Sequence, residues 1–287
     1  MTVRLVAGLR PDEVDTFIDG VLREDLGGGG DVTSISTIGP AARLSGVIAA
    51  RQALVLAGVE LAELFFRKLD AGVVVERVAQ DGETVHAGGH VLRVSGAARS
   101  LLAAERSALN TLAHLSGIAT LAAEYARAIA GTGCTLLDTR KTVPGLRALA
   151  KYAAKAGGAS NHRMRLDDGV LIKDNHIAVA GSVSAAVSSA RAAGLSLGIQ
   201  VEVDRLDQIE EALEAGADSL LCDNMTTEQL RSAGSLVAGR VPIEASGGIN
   251  LATVRDIAST GVTYVSVGRI TQSAPAVDIG LDYLPQT

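Results

Sequence analysis

The chain has 287 residues, 47% apolar and only 2% aromatic, with a formal net charge of −6. That length makes one large domain or two ordinary ones, with a core of Ala, Val, Leu and Ile rather than rings. The acidic balance and the shortage of aromatics exclude a general nucleic-acid binder, which needs a basic face and stacking platforms. No apolar run approaches the roughly 18 residues of a membrane span. Cys134 and Cys222 each lie inside an apolar run, so buried reduced thiols are expected rather than a disulfide framework. The N-terminal MTVRLVAGLRPDEVD has no long apolar core and no small-residue cleavage site. No secretory leader is expected, and the cytoplasm is the default compartment.

Residues 11–24 predict a helix with Val14, Phe17, Ile18, Val21 and Leu22 on one face. Gly27 to Gly30 must be a loop, because four glycines cost too much entropy inside an element. It is not a phosphate loop, since no lysine and helix start follow it in the required way. Strands are expected at 44–50, 53–57, 73–78 and 90–94, with turns at Asp81-Gly82 and Gly88-Gly89. A long Ala/Leu helix begins near Ala98 and carries Arg99, Glu105, Arg106 and Asn110.

From about residue 133 the pattern becomes regular. Apolar strand candidates at 134–137, 170–172, 199–201, 219–222, 241–243 and 264–267 each end in polar or glycine residues and lead into a helix. Their spacing of roughly 20–30 residues is that of one βα unit. Such strands imply a parallel sheet buried on both faces, open or closed into a barrel. In either arrangement ligands bind at the carboxyl ends of the strands. Arg140, Lys141, Lys173, Glu202, Asp223, Ser246 and Gly268 are therefore expected on one rim.

Within that half, residues 139–176 hold eight Lys/Arg against three acids, a formal +5 inside an acidic chain. A field of that sign concentrates an anionic substrate. A solvated helix face accounts for Arg147, Lys151 and Lys155, which sit at helical spacing. It accounts less well for Arg140-Lys141, His162-Arg163 and Lys173, each placed where an apolar segment meets a turn. Arg clamps carboxylate or phosphate with a bidentate fork, and Lys acts as a point charge. Glu202 and Asp223 suit sugar hydroxyls or a water-linked Mg²⁺. Ser246-Gly247-Gly248 and Gly268 offer backbone N–H groups to a phosphate. Lys173 also admits a Schiff-base reading with a carbonyl substrate. His162 and His176 lack a companion at metal-ligand spacing, so no zinc site is expected.

At these residues the chain resembles the quinolinate phosphoribosyltransferase family. The resemblance runs through REDLGGGGDVTS, LLAAERSALNTLAHLSGIAT, LLDTRKTVPGLRALAKYA, GGASNHR, LIKDNHI, VEV, CDNM, EASGGI and VSVGRIT, in that order. It implies an α/β fold: an N-terminal open α/β sandwich (1–115, with the tail 272–287 returning to it) and a C-terminal incomplete (β/α) barrel (116–271). The implied reaction joins quinolinate to 5-phosphoribosyl-1-pyrophosphate and removes the 2-carboxylate, giving nicotinate mononucleotide, pyrophosphate and CO₂ in NAD synthesis. Mg²⁺ would accompany the diphosphate. A homodimer, or a hexamer built from dimers, is implied, with Arg106 donated across the interface. Arg140, His162 and Arg163, with Thr139 beside them and Arg106 from the neighbour, would hold the quinolinate carboxylates. Lys141 and Lys173 would neutralise substrate and diphosphate, Glu202 and Asp223 would meet ribose hydroxyls and water-linked Mg²⁺, and Ser246, Gly247 and Gly268 would hold the 5-phosphate.

The chain departs from the family pattern at Arg165, where a glycine is common, at Asp167, where an aromatic is common, at Cys222, where an aliphatic is usual, and at Gln272, where a histidine is frequent. Arg165 puts the pocket rim, and so the acid specificity, in question. The competing readings are a homologous transferase for another acid, a Schiff-base lyase using Lys173, and a non-catalytic phosphate-sugar binder.

Overall fold

The structure is a computed structural model that describes residues 6–284. The leader reading of the first five residues, and the last three residues of the expected tail, lie outside the described residues. Two compact units emerge. The first comprises residues up to 123 together with 144–158 and the segment from 273 onward; the second comprises 124–143 and 159–272.

In the first unit, helix α1 (Pro11–Leu26) starts with proline at a position where no N–H is needed, and Arg10 N–H donates to the Glu13 carboxylate at 2.8 Å. It buries Val14, Ile18 and Leu22 at helical spacing. After the glycine turn, Asp31 caps a short helix α2 (Val32–Thr37) by accepting from Ser34 N–H at 3.0 Å. Strands β1 (Arg43–Ala50) and β2 (Leu54–Val55) follow, then α3 (Val59–Leu69), β3 (Val74–Arg77), β4 (Thr84–Val85) and β5 (His90–Ala97). The 31-residue helix α4 (Ala98–Ala128) follows directly. The strand expected over 53–57 shrinks to β2, which pairs only with β4. The reason lies in α4: Thr120 Oγ1 accepts from Val55 N–H at 2.9 Å and Ser116 Oγ from Ala57 N–H at 3.1 Å, so helix hydroxyls replace a neighbouring strand.

The chain continues through β6 (Thr135–Leu137), α5 (Arg147–Ala156), β7 (Val170–Ile172), α6 (Asp174–Ala180), α7 (Val183–Ala192), β8 (Ile199–Val203), α8 (Asp207–Glu214), β9 (Ser219–Asp223), α9 (Thr227–Val237), β10 (Ile243–Ser246), α10 (Val254–Ala258), β11 (Tyr264–Ser266), α11 (Arg269–Gln272) and β12 (Ile279–Tyr283). Strand β12 pairs antiparallel with β1, completing a four-stranded sheet in the order β12-β1-β5-β3. Helix α5 clusters with the first unit. Its Lys151, expected on a solvated face with Arg147 and Lys155, is fully buried; of the three only Lys155 is exposed. A buried ammonium requires compensation, so Lys151 belongs to packing rather than to the surface field.

The second unit is a six-stranded parallel sheet in the order β6-β11-β10-β9-β8-β7. The first strand in sequence pairs beside the last, as in a barrel, but β6 and β7 do not pair with each other. The sheet is thus an incomplete (β/α) barrel, open between the two strands joined by the longest crossover. Alternation sets the faces: in β8, Ile199, Val201 and Val203 are buried, while Gln200 and Glu202 are partly exposed and line cavities. Strand β10 begins at Ile243, two residues later than the sequence suggests. Pro242 has no N–H for the ladder and contributes only its carbonyl, to Leu220 N–H at 3.0 Å. Among the described residues no helix is long and apolar enough to cross a membrane.

Candidate active site

A cavity of about 700 Å³ lies at the carboxyl ends of the parallel strands. Its lining includes Thr139, Arg140 and Lys141 after β6, His162, Arg163 and Lys173 around β7, Glu202 and Asp223 at the ends of β8 and β9, Ser246 at the end of β10 with Gly247 after it, and Gly268 after β11. Only Arg106 of the expected set is not among them; it is an exposed residue of α4.

Several of these groups are held from behind. Asp138 is fully buried at the end of β6. Its carboxylate accepts from His162 N–H at 2.8 Å and Asn161 Nδ2–H at 2.6 Å, which fixes the loop carrying His162 and Arg163. Arg163 Nη1 donates to the Gly169 carbonyl at 2.7 Å. Burial, and then the neighbouring charge of Arg140, hold the Arg163 guanidinium below its ordinary value. Arg140 Nε is buried without a hydrogen-bond partner. Two guanidiniums kept close, one with an orphan donor, make a site that becomes satisfied when an anion with acceptor oxygens enters.

The opposite part of the rim is already compensated. Lys173 Nζ donates to Glu202, and His176 Nδ1 accepts from Lys173 N–H at 2.9 Å, so His176 caps α6 rather than binding metal. This ion pair occupies Lys173 as a donor, whereas a Schiff base requires a free amine. Asn224 takes a left-handed backbone (φ 55°), and its amide donates to Asp223 at 2.7 Å. Gly247 has φ +93°, and a Cβ there would stand 2.2 Å from Asn224 Oδ1, so only glycine fits the turn. A Cβ at Gly268 would come within 3.0 Å of Lys141 Cδ. The 139–141 loop is tied down by Thr139 Oγ1, which accepts from Lys141 N–H at 3.0 Å, and by Thr271 Oγ1, which donates to the Lys141 carbonyl at 2.8 Å.

One open question closes and one expectation changes. Arg165 does not line the cavity; it is exposed and pairs with Asp167 at 2.8 Å, while Asp168 caps its loop by accepting from Met164 and Arg165 N–H. The pair takes the side chain away from the rim. His162 lines the cavity, but its Nδ1 accepts from Arg163 N–H at 2.8 Å and its Nε2 meets Glu244 at 3.2 Å. Both ring nitrogens have protein partners, so the ring does not offer a spare N–H to a carboxylate. Glu244, Ser266, Asn250, Arg269 and Gln272 also line the cavity and were not expected on the rim. Alternation back from Ser246 places Glu244 on the inward face, a signal the sequence does carry.

Residues 31–116 match the family described as quinolinate phosphoribosyl transferase, N-terminal domain, and residues 118–282 match its C-terminal domain. The nicotinate-nucleotide pyrophosphorylase [carboxylating] of Mycobacterium leprae is 42% identical over 267 residues, covering 91% of this chain and 94% of that protein. The probable enzyme of the same name from Bacillus subtilis is 40% identical, covering 90% and 89%. The crystal structure of NadC from Streptococcus pyogenes superposes with a TM-score of 0.91 at 40% identity, covering 96% of this chain and 99% of that one. The chain belongs to the quinolinate phosphoribosyltransferase family.

Proposed function

We infer that the protein transfers the phosphoribosyl group of 5-phosphoribosyl-1-pyrophosphate to quinolinate, with decarboxylation, in NAD biosynthesis. The products are nicotinate mononucleotide, pyrophosphate and CO₂. The observation that carries this reading is the pair Arg140–Arg163, held together in spite of like charge and with the Arg140 Nε orphaned, in a chain of this family.

Arg140 and Arg163 engage the adjacent carboxylates of quinolinate, beside Thr139, and present the ring nitrogen to the ribose. The ring nitrogen forms a bond to C1 of the ribose as the C1–O bond to diphosphate breaks, through an oxocarbenium-like state. Lys141 and Lys173 meet the negative charge that grows on the leaving diphosphate, and this electrostatic support matters more than a strong base. Glu202 and Asp223 accept from the ribose hydroxyls; Ser246, Gly247 and Gly268 receive the 5-phosphate. Once the nitrogen is quaternary, the C2–carboxylate bond releases CO₂. Its electron pair stays on C2 beside the cationic nitrogen, and a proton completes the product. No protein nucleophile is needed.

Mg²⁺ fits the rim as a water-clad ion carried by the diphosphate. Glu202 and Asp223 are two carboxylates at the strand ends, and among the described residues no group of three metal-ligating side chains occurs. Mg²⁺ takes one or two carboxylates plus phosphate oxygens in such sites, where it offsets diphosphate charge. Arg106, exposed on α4, would complete a neighbouring subunit's site in a homodimer or a hexamer built from dimers. The cytoplasm remains the proposed compartment, in keeping with two unpaired thiols.

The test is turnover of quinolinate with 5-phosphoribosyl-1-pyrophosphate and Mg²⁺, following CO₂ and nicotinate mononucleotide together. Equal amounts of both are expected. A folded protein that forms neither would overturn the assignment.

A further inference from the structure

Glu244 is the buried carboxylate that the chemistry above does not use. It sits in β10 two residues before Ser246, is only 2% exposed, and lines the floor of the cavity. Its Oε2 accepts from Gln200 Nε2–H of β8 at 2.7 Å and faces His162 Nε2 at 3.2 Å. Burial works to raise its carboxyl, but the hydrogen bonds around it, His162 first, outweigh this and hold it below the ordinary glutamate value. It is therefore ionised at neutral pH and can only accept.

That fixes the histidine. Arg163 N–H donates to Nδ1, so Nδ1 carries a lone pair and the ring proton must be on Nε2, pointing at Glu244. With Asp138 gripping His162 N–H at 2.8 Å, both the peptide and the ring of His162 are locked. The Arg163 peptide is then anchored to the ring, and its guanidinium to the Gly169 carbonyl. A second cavity of about 530 Å³, whose lining includes the opening residues Thr135, Ser219 and Tyr264 of β6, β9 and β11, shares His162 and Glu244 with the first. The pair thus stands between the substrate cavity and the opposite end of the strands.

We propose that Glu244 is a positioning residue for the dicarboxylate: through His162 it sets the direction of Arg163 and closes the floor beneath the acid. This rests on the reading of the rim as the quinolinate site. An outer partner of this kind acts on the group it orients, so its loss falls on the acid rather than on the diphosphate sugar.

Steady-state kinetics of Glu244→Leu and Glu244→Gln test this. The leucine removes the acceptor at nearly equal volume; the glutamine keeps an acceptor oxygen. Glu244→Leu is expected to raise KM for quinolinate by about tenfold or more while KM for the diphosphate sugar stays within about twofold. Glu244→Gln should recover most of that loss. Should the leucine variant fail to fold, Gln200→Leu removes the second donor to Glu244 and should shift the quinolinate KM alone, by a smaller factor. Equal shifts in both KM values, unchanged constants, or a glutamine variant no better than the leucine would overturn the proposal. A wild-type protein that does not turn over quinolinate would instead overturn the functional reading beneath it.

Discussion

The first unit and the arginine side of the second unit's rim treat charge in opposite ways. In the first, charges close on one another. Glu63, almost buried on α3, takes Arg67 at 2.6 Å and Arg77 beside it, Lys68 bridges Asp15 and Asp19, and Arg51 pairs with Asp282 across β1 and β12 at 2.6 Å. At that rim, Arg140 and Arg163 line one cavity near enough for each to feel the other's charge, and the buried Arg140 Nε has no hydrogen-bond partner. A charge that is compensated by its own chain holds the fold together. A pair of like charges held near one another works against the fold and becomes favourable when an anion arrives. The site is legible as the place where the protein leaves its electrostatics unfinished.

The sharpest way to break that contrast is to remove one cation of the rim. Arg163→Ala is expected to lower kcat/KM for quinolinate roughly a hundredfold or more, with the melting temperature unchanged or slightly raised, because one of two repelling charges is gone. Steady-state kinetics beside thermal unfolding check both halves. The same variant tests the shared site: Arg106→Ala and Arg163→Ala should each be crippled alone. After mixing and subunit exchange they should regain about a quarter of wild-type activity, because half of the sites in each mixed dimer are intact. No recovery from exchanged subunits would place Arg106 outside the neighbour's site.

In the first unit the loss should fall on stability instead. Glu63→Ala is expected to destabilise by about 1–3 kcal/mol, with kcat/KM of the folded enzyme unchanged within about twofold. Burial works to raise Glu63, but the bonds from Arg67 and Arg77 outweigh it and hold the carboxyl below its ordinary value. A depressed folded value gives stability that is present above the unfolded value near 4.5 and is lost as the pH falls through the folded one. The difference between variant and wild type should therefore be full at pH 7 and shrink in acid. Chemical denaturation at several pH values measures it.

Smallest is the effect at the thiols. Burial pushes Cys134 up to about 11 and Cys222 up to about 12. At pH 8 about a thousandth or less of each is thiolate. A disulfide-exchange reagent should label neither at an appreciable rate until the protein unfolds, and alkylating conditions should leave activity intact.

Much of this arrangement was legible in the sequence. Apolar runs ending in polar residues place β6 to β11 and most of the rim, because parallel strands buried on both faces read as plain hydrophobic stretches. What was not legible had local causes. Pro242 shifts β10 toward the C-terminus, so that Glu244, just past the expected strand at 241–243, lies inside the strand and is buried. Helical spacing shows Arg147, Lys151 and Lys155 on one helix but cannot show that α5 clusters with the first unit and buries Lys151. The direction of Arg165 depends on an ion pair with a residue two positions on, which sequence leaves open. Nor does a histidine in a turn reveal that both its ring nitrogens are spent on the protein.

The central claim is that the rim reads two carboxylates at once. Its most direct test is competition: quinolinate turnover at saturating 5-phosphoribosyl-1-pyrophosphate, titrated with nicotinate, which keeps one carboxylate and lacks the other. Half-inhibition is predicted only at nicotinate concentrations about a hundredfold or more above the quinolinate KM, since a lost charge-assisted pair leaves a guanidinium unsatisfied. Inhibition by nicotinate at concentrations near that KM would contradict the account.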